Sequence, residues 1–231
     1  MSIQITSLGL QPYEQTWQAM QEYTSARDEN SKDRIWIVEH PAVYTQGLNG
    51  KSEHLLHPDP SIPVVQTDRG GQITYHGPGQ IVLYALIDLK RARLGVRELV
   101  SLLEEAIIQF LQSQNISALA DPQAPGVYVS GRKIASLGLK IRKQKSYHGL
   151  AFNLNMDLTP FAAINPCGLI NMQMVQLKDL IPADSLPSFE KASKQLAETL
   201  AKLIRQRIEQ NKNRLQSAEQ QVALQEDAPS K

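Results

Sequence analysis

Cys167 is the sole thiol in a chain of 231 residues, and it stands in the stretch Asn165-Pro166-Cys167-Gly168. A cysteine attacks as its thiolate, and a free thiol with a pKa of about 8.5 is only a few per cent ionised at neutral pH. Nucleophilic use therefore demands a nearby cation or base. The chain offers three: Lys133, His76 and His148. A lone cysteine is more often a small buried hydrophobe, whereas flanking proline and glycine argue for a fixed, irregular loop. Lys133 heads the otherwise uncharged run Lys133-Ile-Ala-Ser-Leu-Gly-Leu139. A lysine at a strand start is usually solvated; one turned into a pocket is desolvated and able to exchange a proton with a thiol. A third feature is Arg69-Gly-Gly-Gln-Ile-Thr-Tyr-His-Gly-Pro-Gly-Gln80, with four glycines, one arginine and one histidine in twelve residues. Glycine lets backbone come close to a ligand, so this loop between two apolar runs is either a pocket wall or a glycine-bearing hairpin. Spacing leaves both readings open.

The elements that must position these groups can be read from periodicity. A short strand over 3–8 precedes a helix from Pro12 to about Asn30, with Tyr13, Trp17, Met20 and Tyr23 on one face. A strand over 34–39 ends at His40-Pro41, and 41–50 reads as a loop. His54 and His57 fall in a Pro-rich irregular segment as surface residues. A buried strand over 80–89 and an amphipathic helix over 96–113 follow. Strand-like 116–120 comes next. Residues 127–129, the turn Ser130-Gly131 and 133–141 predict a hairpin. A strand over 148–155, a helical turn over 158–164 and a core helix from about Leu186 through Ile204 complete the pattern. Strands outnumber helices without regular alternation, which predicts an α+β fold around a mixed sheet. The expected division is a catalytic domain over 1–205 and a polar, Gln-rich extension over 206–231, helical or disordered.

Composition narrows the function classes. Net charge is +1, so no general electrostatic case exists for nucleic acid or membrane partners. One cysteine excludes an internal disulfide and a multi-cysteine zinc site. No metal is expected. No long apolar window or charged leader is present, and the expectation is a cytoplasmic protein.

Taken together, Arg69 to Gln80, Gly131-Arg-Lys-Ile-Ala-Ser-Leu-Gly-Leu139, His148-Gly-Leu-Ala-Phe-Asn-Leu-Asn155 and Ile164-Asn-Pro-Cys-Gly168 resemble the lipoyl(octanoyl) transferase family, over roughly residues 3–185. The resemblance implies a biotin/lipoate protein ligase-like catalytic domain. It also implies transfer of an octanoyl group from octanoyl-acyl carrier protein to a lysine of lipoyl domains, those of 2-oxoacid dehydrogenase complexes and the glycine cleavage H protein. The enzyme would act without a cofactor and as a monomer. By the same resemblance Cys167 becomes the acyl-thioester and Lys133 lowers its pKa and carries protons. Arg69, Gly70, Gly71, Gln72, Ile73, Thr74, Tyr75 and His76 would line the acyl pocket, with Ser136, Leu137, Gly138, Gly149, Leu150 and Ala151 completing it. His148 would support the pocket. Gly70, Gly71, Gly138 and Gly149 would leave room for the chain. The alternatives are an ATP-dependent lipoate or biotin ligase on the same fold, a Cys-His thioesterase, and a non-catalytic binding module.

Overall fold

The computed structural model describes the backbone of residues 2–165 and 172–226, and the side chains of all of these but 52 and 218–226. Cys167 lies outside the described residues. The chain runs β1 (Ile3–Leu10), α1 (Tyr13–Ala26), β2 (Asp33–Glu39), β3 (Val43–Gln46), β4 (Val64–Gln66), β5 (Ile73–His76) and β6 (Gln80–Leu86). It continues through the single turn α2 (Leu89–Ala92), α3 (Val96–Gln112), β7 (Leu119–Ala120), β8 (Gly126–Val129), β9 (Arg132–Arg142), β10 (Lys145–Asn153) and α4 (Phe189–Glu226). Seven strands form one sheet in the order β1-β2-β6-β10-β9-β8-β7, and β4-β3-β5 form a second. β1–β2 and β3–β4 are parallel and the other pairs antiparallel, so both sheets are mixed.

The inner strand β6 is buried along its whole length because both faces are covered. Its alternate residues divide between two cores, as the two-residue period of a strand requires. Ile81, Leu83 and Ala85 join Ile35 and Ile37 of β2 against the apolar stripe of α3 (Leu99, Leu103, Ile107, Phe110) and against Leu196, Leu200 and Ile204 of α4. Val82, Tyr84 and Leu86 join Trp36, Val38, Tyr147 and Ala151 under Met20 and Trp17 of α1. The small sheet lies apart from these cores, with Tyr44, Ile73, Tyr75 and Phe161 forming its own cluster.

Four expectations about elements are corrected. The 41–50 loop holds β3, and the Gly-rich stretch holds β5. These two strands pair with each other, Val43 opposite His76 and Gln46 opposite Ile73, across a long sequence gap that no local pattern encodes. α1 stops at Ala26 instead of about Asn30. There Arg27 turns inward to a buried ion pair with Asp33, which Arg91 joins at 3.0 Å and the Asp88 N–H at 2.7 Å. The strand expected over 116–120 shrinks to Leu119–Ala120. The core helix expected through Ile204 runs on to Glu226, in line with the helical alternative for the extension, with Ile208 buried and Arg207 3.2 Å from Glu98.

Asp33→Ala leaves the Arg27 guanidinium buried without its partner. Loss of one member of such a pair costs about 3–5 kcal/mol, and urea unfolding at neutral pH is expected to show a drop of that order.

Candidate active site

A pocket opens between the α1 face of the large sheet and the Gly-rich loop. Of the expected lining residues, Arg69, Gly71, Gln72, Ile73, Thr74, His76, Ser136, Leu137, Gly138, Gly149, Leu150 and Ala151 all border it. So does His148. Gly70 borders instead an adjoining open groove, which runs past Val96, Val100 and Pro125 and shares Gly71, Gln72, Leu137 and Gly138 with the pocket. Tyr75 points the other way and packs edge-on against Phe161 at 5.4 Å. Period two explains it: His76 and Thr74 of β5 face the pocket, and Tyr75 faces away.

Arg69 works as a brace for this loop. Its guanidinium donates to the Thr45 carbonyl at 2.6 Å, the Thr45 hydroxyl at 2.9 Å and the Gly70 carbonyl at 3.0 Å. The Gly70 N–H donates to the Leu139 carbonyl at 2.9 Å, so the loop is tied to β3 on one side and β9 on the other. This contact corrects the role expected of the glycines. A Cβ at Gly138 would sit 3.1 Å from the Gly70 carbonyl oxygen, and one at Gly149 would overlap the Leu83 carbonyl of β6. These two glycines let backbone approach backbone; they do not open space for a ligand.

Lys133 resolves to the buried alternative. Its side chain is fully enclosed at 0% exposure, among the largest side chains so buried. The ammonium stands 5.4 Å from the Tyr128 ring centroid, close enough for a cation–π contact. Its backbone is bound by the segment six to eight residues after Cys167: the Lys133 N–H donates to the Gln173 carbonyl at 2.8 Å, and the Val175 N–H to the Lys133 carbonyl at 3.0 Å.

The histidines sit in hydrogen-bonded frames. His76 Nδ1 lies 2.7 Å from Gln80 Oε1, and its ring stacks on Tyr13 at 5.6 Å. Burial pushes its pKa down to about 3. His40 spans the Gln11 carbonyl and the Tyr84 hydroxyl, both at 2.7 Å, and burial lowers it to about 4. His148, at φ +61°, places Nε2 3.1 Å from Asp68 Oδ1. Burial lowers its pKa against the pull of that carboxylate. Asp68, which burial alone would raise, is held well below the usual carboxylate range by hydrogen bonds from His148, Tyr147 and Trp17. His57 is exposed and His54 partly buried, as a segment away from the pocket allows.

Sequence reading missed Tyr13, Val82 and Tyr84 as lining residues, and His40 and Asp68 behind them. Asp68 had one signal, its place beside Arg69. The tyrosines had none, since each reads as an ordinary apolar position of its own element.

Because His40 and His76 are held neutral in the fold and take up a proton at about 6.5 once unfolded, acid favours the unfolded chain. Stability is therefore complete above about pH 6.5 and falls as pH drops toward about 4, the lowered value of His40. Thermal melts across that window are expected to show it, and His40→Gln is expected to flatten the slope.

Residues 12–201 match the family described as Lipoyl protein ligase A/B catalytic domain. An octanoyltransferase of Hydrogenovibrio crunogenus is 63% identical over 183 residues, covering 78% of this chain and 88% of the relative. One of Shewanella piezotolerans is 55% identical over 200 residues, covering 87% and 89%. The chain belongs to the octanoyltransferase family. It is thus an acyltransferase, and the biotin/lipoate ligase-like fold is the one expected. An octanoyltransferase chain of this kind superposes on a lipoate-protein ligase A bound with ATP at a TM-score of 0.70 and 16% identity, covering 89% of this chain and 86% of that one. A bi-partite lipoate protein ligase from Thermoplasma acidophilum gives 0.70 at 14% identity, covering 89% and 84%. At those identities the likeness is one of fold. Among the described residues, no helix is long and apolar enough to cross a membrane.

Proposed function

We propose that this chain moves an octanoyl group from acyl carrier protein to the lysine of a lipoyl domain, through a thioester on Cys167 with Lys133 as the proton carrier. The observation that carries this reading is the setting of Lys133. It is a fully buried amine on the strand that walls the pocket through Ser136–Gly138, and its backbone is tied to Gln173, six residues after Cys167. Six residues at ~3.3–3.6 Å each keep the Cys167 backbone within about 22 Å of Gln173, the residue bonded to Lys133.

The chemistry then runs in two balanced steps. The Cys167 thiolate attacks the thioester carbonyl carbon, a new C–S bond forms, the donor's C–S bond breaks, and the Lys133 ammonium gives its proton to the departing carrier thiolate. Exchange of one thioester for another is nearly thermoneutral, so ATP is not required. In the second step the acceptor amine attacks the acyl-cysteine, neutral Lys133 takes the amine's proton, and the Cys167 thiolate leaves. The amide is more stable than the thioester, so this step runs downhill. The pocket holds the acyl chain away from water, each buried methylene contributing about 0.8 kcal/mol. His76 and His148, fixed by Gln80 and Asp68, hold pocket walls in this account and move no proton.

Octanoyl-acyl carrier protein and a lipoyl domain, mixed with the chain and no ATP, are expected to give a lipoyl domain heavier by one octanoyl group. Modification that appears only with free octanoate, ATP and magnesium would replace this reading with a ligase.

A further inference from the structure

α3 carries three acidic residues, and two of them are spent on local structure. Glu98 accepts from the Gly95 N–H at 2.8 Å and pairs with Arg207 at 3.2 Å, and Glu105 accepts from Gln109 at 3.0 Å. Glu104 faces elsewhere. It lies one turn beyond Val100 and two beyond Val96, the two α3 residues that floor the groove joined to the acyl pocket. Its Oε1 stands 3.4 Å from the Gly126 N–H, on the first residue of β8. The Lys133 side chain packs on that same glycine: a Cβ there would overlap Lys133 Cε and lie 3.1 Å from Nζ. Gly126 therefore has both the Glu104 carboxyl group and the buried Lys133 side chain beside it. At 3.4 Å the amide contact is long and contributes little as a hydrogen bond. The two charges act on each other without one, because water is largely excluded around Lys133. Burial pushes Glu104 up, and the Gly126 amide and the Lys133 charge pull it back.

We propose that Glu104 is a positioning residue for acyl transfer: its carboxylate, set beside Gly126, keeps Lys133 charged and in place to serve the thiol of Cys167. The proposal rests on the reading of Lys133 and Cys167 given above. Tyr128 of β8 also packs on Lys133, and its hydroxyl donates to the Ala124 carbonyl at 2.7 Å. A carboxylate near the ammonium favours its protonated state before acylation. In the second step the same carboxylate makes neutral Lys133 a stronger base for the acceptor amine.

The test is the pH dependence of kcat/KM for transfer, compared among wild type, Glu104→Gln and Glu104→Asp. Glutamine keeps the shape and can still accept from Gly126, but it removes the charge. Glu104→Gln is expected to be about tenfold slower near neutral pH, with the alkaline limb of its profile moved to lower pH. Glu104→Asp, which keeps the charge but draws it back, is expected to shift the limb less and in the same direction. Superimposable profiles for wild type and Glu104→Gln would overturn the proposal. So would an equal loss at every pH in both variants, the mark of a packing role. Lys133→Met, run in parallel, separates the two claims: undiminished transfer there means that Lys133 is not the proton carrier, and the proposal falls with that reading.

Discussion

Lys133→Met is expected to lower octanoyl transfer by about a thousandfold, the middle of the ~10²–10⁴ range for loss of a general acid–base group. Methionine is unbranched and apolar, so it fills the same enclosed space while removing the ammonium. Two things are lost together. On the proposed mechanism the thiol loses its cation, so alkylation of Cys167 at neutral pH is expected to slow. The acceptor lysine no longer has a base to take its proton, and its own pKa of about 10.4 leaves it protonated. A purely structural Lys133 predicts the opposite pattern, a lower melting temperature with an undiminished rate per folded molecule. Rate and melt measured on one preparation distinguish these.

Gly126→Ala is expected to cost at least a hundredfold in kcat although Lys133 itself is untouched. The added methyl would overlap Lys133 Cε and stand 2.8 Å from the Ala135 carbonyl oxygen of the neighbouring strand. Real Cβ atoms do not tolerate such contacts, and backbone cannot retreat as a flexible side chain can. The lysine must therefore swing aside, and displacing a reacting group by about 1 Å costs ~10² in rate. Some stability goes too, about 1–3 kcal/mol for overpacking. The diagnostic is kcat falling at temperatures where the variant is fully folded, with KM for the acceptor close to that of wild type.

Much of the scaffold was legible because it is local. The α3 stripe repeats at helical spacing, and Ser130-Gly131 marks the β8–β9 turn where it was expected. What was not legible is what depends on distant partners. β3 and β5 are short, and each is a strand only because the other lies beside it. α1 ends early because burying Arg27 against Asp33 takes the chain out of the helix. The pocket followed the same division. Its glycine, serine and histidine borders were readable as motifs, whereas Tyr13 and Tyr84 arrive from elements whose own patterns say only that they are buried. The glycines were readable as sites of close approach, but sequence does not say what approaches. At Gly149 it is the Leu83 carbonyl, and at Gly138 it is Gly70. The orientation of Lys133 was likewise open until β9 was seen with Gly126 under the side chain and Gln173 on the backbone.

The central claim is that Cys167 carries the acyl group, and the most direct measurement is the intact mass of the protein after exposure to octanoyl-acyl carrier protein, with neither ATP nor acceptor. The account predicts that wild type gains one octanoyl group and Cys167→Ser gains none, and that adding a lipoyl domain moves the mass to the domain. An unmodified wild-type chain that nonetheless transfers the group, or an adduct that survives in Cys167→Ser, would contradict it.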